Sequence, residues 1–108
     1  MNYKIATIAH FRKEAKRLIK KYPSLESELK EMAEELMIHP TMGTPLGKDC
    51  YKIRLGIASK GKGKSGGARI ITHFYISEGT VYLLSIYDKA EQENLSEKDL
   101  ARLLMDIE

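Results

Sequence analysis

The chain has 108 residues, which is enough for one small domain with a single core. It is 43% hydrophobic and 31% charged, ordinary for a globular protein, and its apolar runs are too short for a membrane span. The single cysteine, Cys50, excludes an internal disulfide. The scattered His10, His39 and His73 supply no metal-ligand spacing, so no metal or other cofactor is expected, and a reducing cytosol is the expected compartment.

In chain order, "NYKIATI" reads as a short strand with no apolar signal core around it. Phe11, Ala15, Leu18, Ile19 and Tyr22 then repeat at helical spacing, and Pro23 ends that helix. Its other face is strongly basic: Arg12, Lys13, Lys16, Arg17, Lys20 and Lys21 against Glu14. Ser24 is the expected N-cap of a second helix, with Leu25, Leu29, Met32, Ala33 and Leu36 on its apolar stripe and an acidic outer face. The two should form an antiparallel helical hairpin.

Residues 41–49, "TMGTPLGKD", have loop composition. Three strand-like runs follow: "CYKIRLGI", "ARIITHFYI" and "TVYLLSIYDK". The last is apolar on both faces, which suits a central strand. Ser96-x-x-Asp99 opens a final helix carrying Leu100, Leu103, Leu104 and Ile107. The order is β-α-α-β-β-β-α in one domain over residues 1–108. The expected class is α+β: an antiparallel sheet, two N-terminal helices packed on one face, and a C-terminal helix.

"ASKGKGKSGGAR", residues 58–69, fits a relaxed nucleotide-binding pattern through Ala58, Gly63, Lys64 and Ser65. A P-loop needs a helix to start at its Lys-Ser pair, so that free N–H groups hold phosphate. Here Gly66, Gly67 and a β-branched run follow, which are poor helix starters. The expectation is a flexible basic hairpin and no nucleotide cofactor. Lys60, Lys62 and Lys64 would form a mobile basic rim suited to a phosphate backbone.

Side-chain alternation places Lys52, Arg54 and Arg69 on one sheet face, away from the helices. The same alternation adds Ser85, Tyr87 and Lys89 to that face and puts Tyr82, Leu84 and Ile86 in the core. His73 and Tyr75 share the parity of Arg69, with His73 roughly 13 Å farther along the strand, in reach of a neighbouring part of an extended substrate. Four unpaired cations are costly to bury, and a phosphodiester backbone would satisfy them, with Tyr87 available to stack on a base. RNA carries its own nucleophile, the 2′-OH. Cleavage then needs a base, an acid and cations for the developing charge. A lysine crowded by cations, Lys52 or Lys89, suits the base, because neighbouring charge lowers its pKa.

The segments "CYKIRL", "GKGKSGGARIIT" and "VYLLSIYDKAEQENLSEKDL", with "KKYPSLESELKEMAEEL" before them, resemble the RelE/ParE superfamily of bacterial type II toxins, closest to a HigB-like branch. The resemblance spans nearly the whole chain. It implies a metal-independent endoribonuclease that enters the ribosomal decoding site and cuts mRNA. Residue by residue, it implies catalytic roles for Lys52 and Arg54, then Arg69, then Lys89. The C-terminal segment lacks the tyrosine common in the family, and Tyr87 is the expected substitute. A cognate antitoxin protein is the implied partner, with mRNA and rRNA contacts on the ribosome and none with a membrane. A ParE-like inhibitor of DNA gyrase and a non-toxic RNA-binding module are the alternatives.

Overall fold

The computed structural model describes residues 2–61 and 63–107. Strand β1 (Lys4–Thr7) leads into α1 (Ala9–Lys21) and α2 (Leu25–Ile38). Strands β2 (Thr44–Gly47), β3 (Cys50–Leu55), β4 (Ala68–Tyr75) and β5 (Thr80–Asp88) follow, then α3 (Glu97–Leu104). Short 3-10 turns cover Ala58–Lys60 and Ile76–Glu78. The α+β class expected from the sequence holds.

The apolar stripes form the core. Phe11, Ala15 and Leu18 of α1 and Leu25, Met32 and Leu36 of α2 are buried with Ile53, Ile70 and Ile86 of the sheet. α3 starts where its capping box predicts: the Ser96 hydroxyl accepts from the Asp99 N–H at 3.1 Å. Ser24 makes no such cap on α2. Its hydroxyl instead lies 2.8 Å from that of Ser59 and accepts from the Ser59 N–H at 2.9 Å, tying the helical hairpin to the loop after β3.

The sheet order is β1-β5-β4-β3-β2. β5 is an interior strand between β1 and β4 and almost wholly buried, in keeping with its two-sided apolar sequence. Three features differ from expectation. β1 pairs parallel with β5, so the sheet is mixed. The expected loop at 41–49 contains β2, whose four residues are all exposed at the sheet edge. Lys48 and Asp49, with φ of 56° and 59°, join β2 to β3 in a two-residue turn of the primed type that hairpins favour.

The third difference is a bulge. Ile71 pairs with Ser85, but Thr72 pairs with Leu83, so Leu84 has no opposite residue. Alternation in β5 reverses there. Tyr82 therefore leaves the core and joins His73 and Tyr75, with the Tyr75 and Tyr82 rings 6.3 Å apart. Tyr87 and Ser85 stay on the face of Arg69. That face is not open: α3 lies against it. Ser85 and Tyr87 are buried and share a cleft of about 310 Å³ with His10, Asp99, Arg102 and Leu103.

Candidate functional site

The register of β3, β4 and β5 lines up Arg54, Arg69 and Tyr87 in one row across the sheet. The next row on the same face is Lys52, Ile71 and Ser85. Lys89 follows β5 directly, and its N–H donates to the Gly67 carbonyl at 3.0 Å. Arg54 is exposed, while Lys52 and Lys89 are half-buried. Lys52, Arg54, Arg69, Tyr87 and Lys89 are thus brought together at one end of the sheet. His73 stands apart, half-buried, with Nδ1 3.5 Å from the Cys50 sulfur.

Arg69 is only 4% exposed. Its Nη1 donates to the carbonyls of Lys64 at 2.8 Å and Ala68 at 3.1 Å, and its Nη2 to that of Ser65 at 3.1 Å. A guanidinium has five N–H donors, so two are left beyond these three bonds. The expected open cation is instead the residue that organises the hairpin above it. Tyr87 is 3% exposed, and its hydroxyl has no hydrogen-bond partner among the described residues. Burial pushes the Tyr87 phenol up, and the charge of Arg69 offsets part of that rise. As it stands in this structure, Tyr87 offers no free ring face for a base.

The first residues of the hairpin between β3 and β4 are tied to α2 and to β5. Ser59 is bonded to Ser24, and the Ala58 N–H donates to Glu28 at 2.8 Å. Lys60 is a correction to the expected set of RNA-facing lysines. Its side chain is 12% exposed, and Nζ donates to Asp88 at 2.5 Å and to the Gly66 carbonyl at 2.8 Å. Lys64 is exposed. Lys62 lies outside the described residues. Gly67 has a packing reason: a Cβ there would sit 2.1 Å from the Leu55 carbonyl oxygen. No helix follows Ser65, so the phosphate-cradle reading fails on geometry.

Asp88, a carboxylate near the basic face in the sequence but outside the expected site, takes a central place in the structure. It is wholly buried at the end of β5 and accepts from Lys60, from the Tyr22 hydroxyl at 2.6 Å and from the Ala90 N–H at 2.9 Å. Burial alone would raise its pKa. The hydrogen bonds from Lys60, Tyr22 and Ala90 outweigh that and hold it at about 2. Beside it, Arg17 and Lys21 of α1 reach Glu91 at 2.9 and 3.5 Å, so part of the α1 basic face is internally paired.

A family profile described as "RelE toxin of RelE / RelB toxin-antitoxin system" matches residues 4–105. The chain belongs to the RelE toxin family. Solved structures of the family share its fold at low identity. A mutant of the E. coli toxin RelE in the free state aligns over 100% of both chains at 20% identity, with a TM-score of 0.63. The intact E. coli RelBE toxin-antitoxin complex matches at 22% identity over 80% of this chain and 95% of that one, with a TM-score of 0.63. The RelBE2 toxin-antitoxin complex of Mycobacterium tuberculosis matches at 18% identity over 82% of this chain and 99% of that one, with a TM-score of 0.62. Among the described residues of this RelE-family chain, no helix is long and apolar enough to cross a membrane.

Proposed function

We propose that this chain is the toxin of a bacterial type II pair, acting in the cytoplasm as a ribosome-dependent, metal-independent endoribonuclease on mRNA. The observation that carries the reading is the row of Arg54, Arg69 and Tyr87, with Lys52 in the next row of the same face and Lys89 at the strand end. Arg54 and Lys64 are exposed and make the first contacts with the RNA backbone. Lys52 or Lys89 takes the proton of a ribose 2′-OH. That oxygen bonds to the adjacent phosphorus as the bond to the 5′-oxygen breaks, and a protonated partner supplies the proton to the leaving oxygen. The products are a 2′,3′-cyclic phosphate and a 5′-hydroxyl. Arg54, with the two remaining donors of Arg69, offsets the charge that grows on the phosphate. The lysine-glycine hairpin and the "IYDK" strand end support a HigB-like branch, and a protein antitoxin is the partner this reading requires.

The test is expression of the wild type beside Arg54→Ala and Lys89→Ala, with mapping of mRNA 5′ ends. New cuts at fixed codon positions in the wild type, weakened in each variant, support the reading. A second reading draws on the burial of Arg69 and Tyr87 beneath the hairpin and α3. A gyrase inhibitor of ParE type needs no catalytic array, so the burial costs it nothing. Inhibition of supercoiling by purified gyrase, with no mRNA cuts, would favour that role.

A further inference from the structure

Three consecutive carbonyls of the β3–β4 hairpin are held by two cations. Lys64 and Ser65 offer theirs to Arg69, and Gly66 offers its own to Lys60. Lys60 is in turn anchored. Its ammonium sits against the buried carboxylate of Asp88, which also takes the Tyr22 hydroxyl and the Ala90 N–H, and it lies 5.8 Å from the centre of the Tyr22 ring. Asp88 belongs to the rigid interior strand, and Tyr22 closes α1. The turn at residues 64–66 is therefore gripped from two sides, and one of the grips leads to the core.

We propose that Lys60 and Asp88 are a positioning pair for Arg69, fixing its guanidinium through the shared turn, and that Lys60 makes no contact with RNA. Two properties of the pair fit this role. Lys60 spends donors on a fixed carboxylate and a fixed carbonyl, which removes the mobility that a lysine brings to a phosphate contact. The carboxylate is held by donors from three different parts of the chain, so it stays in place when the hairpin is loaded. The inference rests on the proposed cleavage for the purpose of Arg69, but the grip itself is independent of it.

The experiment compares wild type, Lys60→Arg, Lys60→Met and Lys64→Ala. Protein labelled with 15N-arginine gives separate Nη–H resonances for a guanidinium locked in place, and those of Arg69 are identified by their loss in Arg69→Lys. The account expects Lys60→Met to collapse the Arg69 resonances and Lys60→Arg to preserve them. On ribosomes programmed with mRNA, Lys60→Met should slow turnover about tenfold or more. It should leave the salt dependence of binding unchanged, whereas Lys64→Ala should lower that slope by about one charge. Unchanged Arg69 resonances in Lys60→Met would overturn the inference, as would a slope reduced by one charge. If Lys60→Met does not fold, Tyr22→Phe carries the test: weakened Arg69 resonances support the pair, and unaltered ones contradict it. A wild type that cuts no mRNA refutes the proposed function and leaves the resonances to judge the pair.

Discussion

Arg54 and Arg69 stand opposite each other across β3 and β4, yet their surroundings are unlike: Arg54 is exposed, while Arg69 is buried against carbonyls of its own hairpin. Two cations side by side repel, and the carbonyl dipoles above Arg69 reduce that cost. Their substitutions should therefore separate. Arg54→Ala removes a surface charge and should leave stability within ~0.5 kcal/mol while weakening RNA binding and cleavage. Arg69→Ala leaves three carbonyls short of a donor, at ~1–3 kcal/mol each where water cannot replace it, so both melting temperature and cleavage should fall. Arg69→Lys should not restore either, because an ammonium lacks the fork geometry. Thermal melts beside cleavage assays decide this.

Asp88 makes stability depend on acid. Its folded pKa of about 2 lies below the ordinary 3.8. The folded state therefore favours the carboxylate, and the stabilisation is complete above pH 4 and lost as pH falls toward 2. Holding the carboxyl at about 2 in the folded state is worth ~2 kcal/mol. Asp88→Asn should be destabilised near neutral pH, because Lys60 loses its counter-charge. Breaking a fully buried pair costs ~3–5 kcal/mol, and the partial exposure of Lys60 lowers that figure. Denaturant titrations at pH 6 and at pH 2.5 should show the gap between wild type and Asp88→Asn narrowing at the lower pH. A constant gap would contradict the assignment.

Gly67, the second glycine of "KSGG", answers to packing, and Gly63 before the motif does not. Gly67→Ala would drive a Cβ into the Leu55 carbonyl across the β3–β4 pair, whereas a Cβ on Gly63 meets nothing within 4 Å. Gly67→Ala should lose several kcal/mol, on the order of an overpacked core substitution or more (~1–3 kcal/mol), and Gly63→Ala should be near neutral. Equilibrium unfolding of both variants checks the contrast.

Cys50 should be inert. Burial first, then the charge of Asp49, pushes its thiol up to about 11. Little thiolate exists at neutral pH, and what exists is shielded. The folded protein should react with a disulfide reagent far more slowly than the protein in denaturant. Equal rates would show that the β3 end opens readily.

Much of this architecture was legible in the sequence. The 3.6-residue stripes of α1 and α2, the Ser96 cap and the two-sided apolar β5 each announce their element, because each rests on a local pattern. β2 did not, since four exposed residues including a proline and a glycine carry no alternation, and their pairing is set by the turn at Lys48 and Asp49. Tyr82 was misassigned because one bulged residue reverses parity, and nothing at Leu84 signals a bulge. The row of Arg54, Arg69 and Tyr87 followed correctly from alternation. The burial of Arg69 did not, because its acceptors are main-chain carbonyls, which every sequence possesses. The pairing of Lys60 with Asp88 joins residues far apart in the chain, and no local pattern encodes it. The only hint was a lone acid in the apolar strand "TVYLLSIYDK".

The most direct test of the central claim is cleavage of a defined mRNA by purified protein, with and without programmed ribosomes, with the 3′ ends of the fragments analysed chemically. The account predicts ribosome-dependent cuts ending in 2′,3′-cyclic phosphate, abolished by Arg54→Ala together with Lys89→Ala. Intact mRNA on ribosomes, from protein shown to be folded, would contradict it.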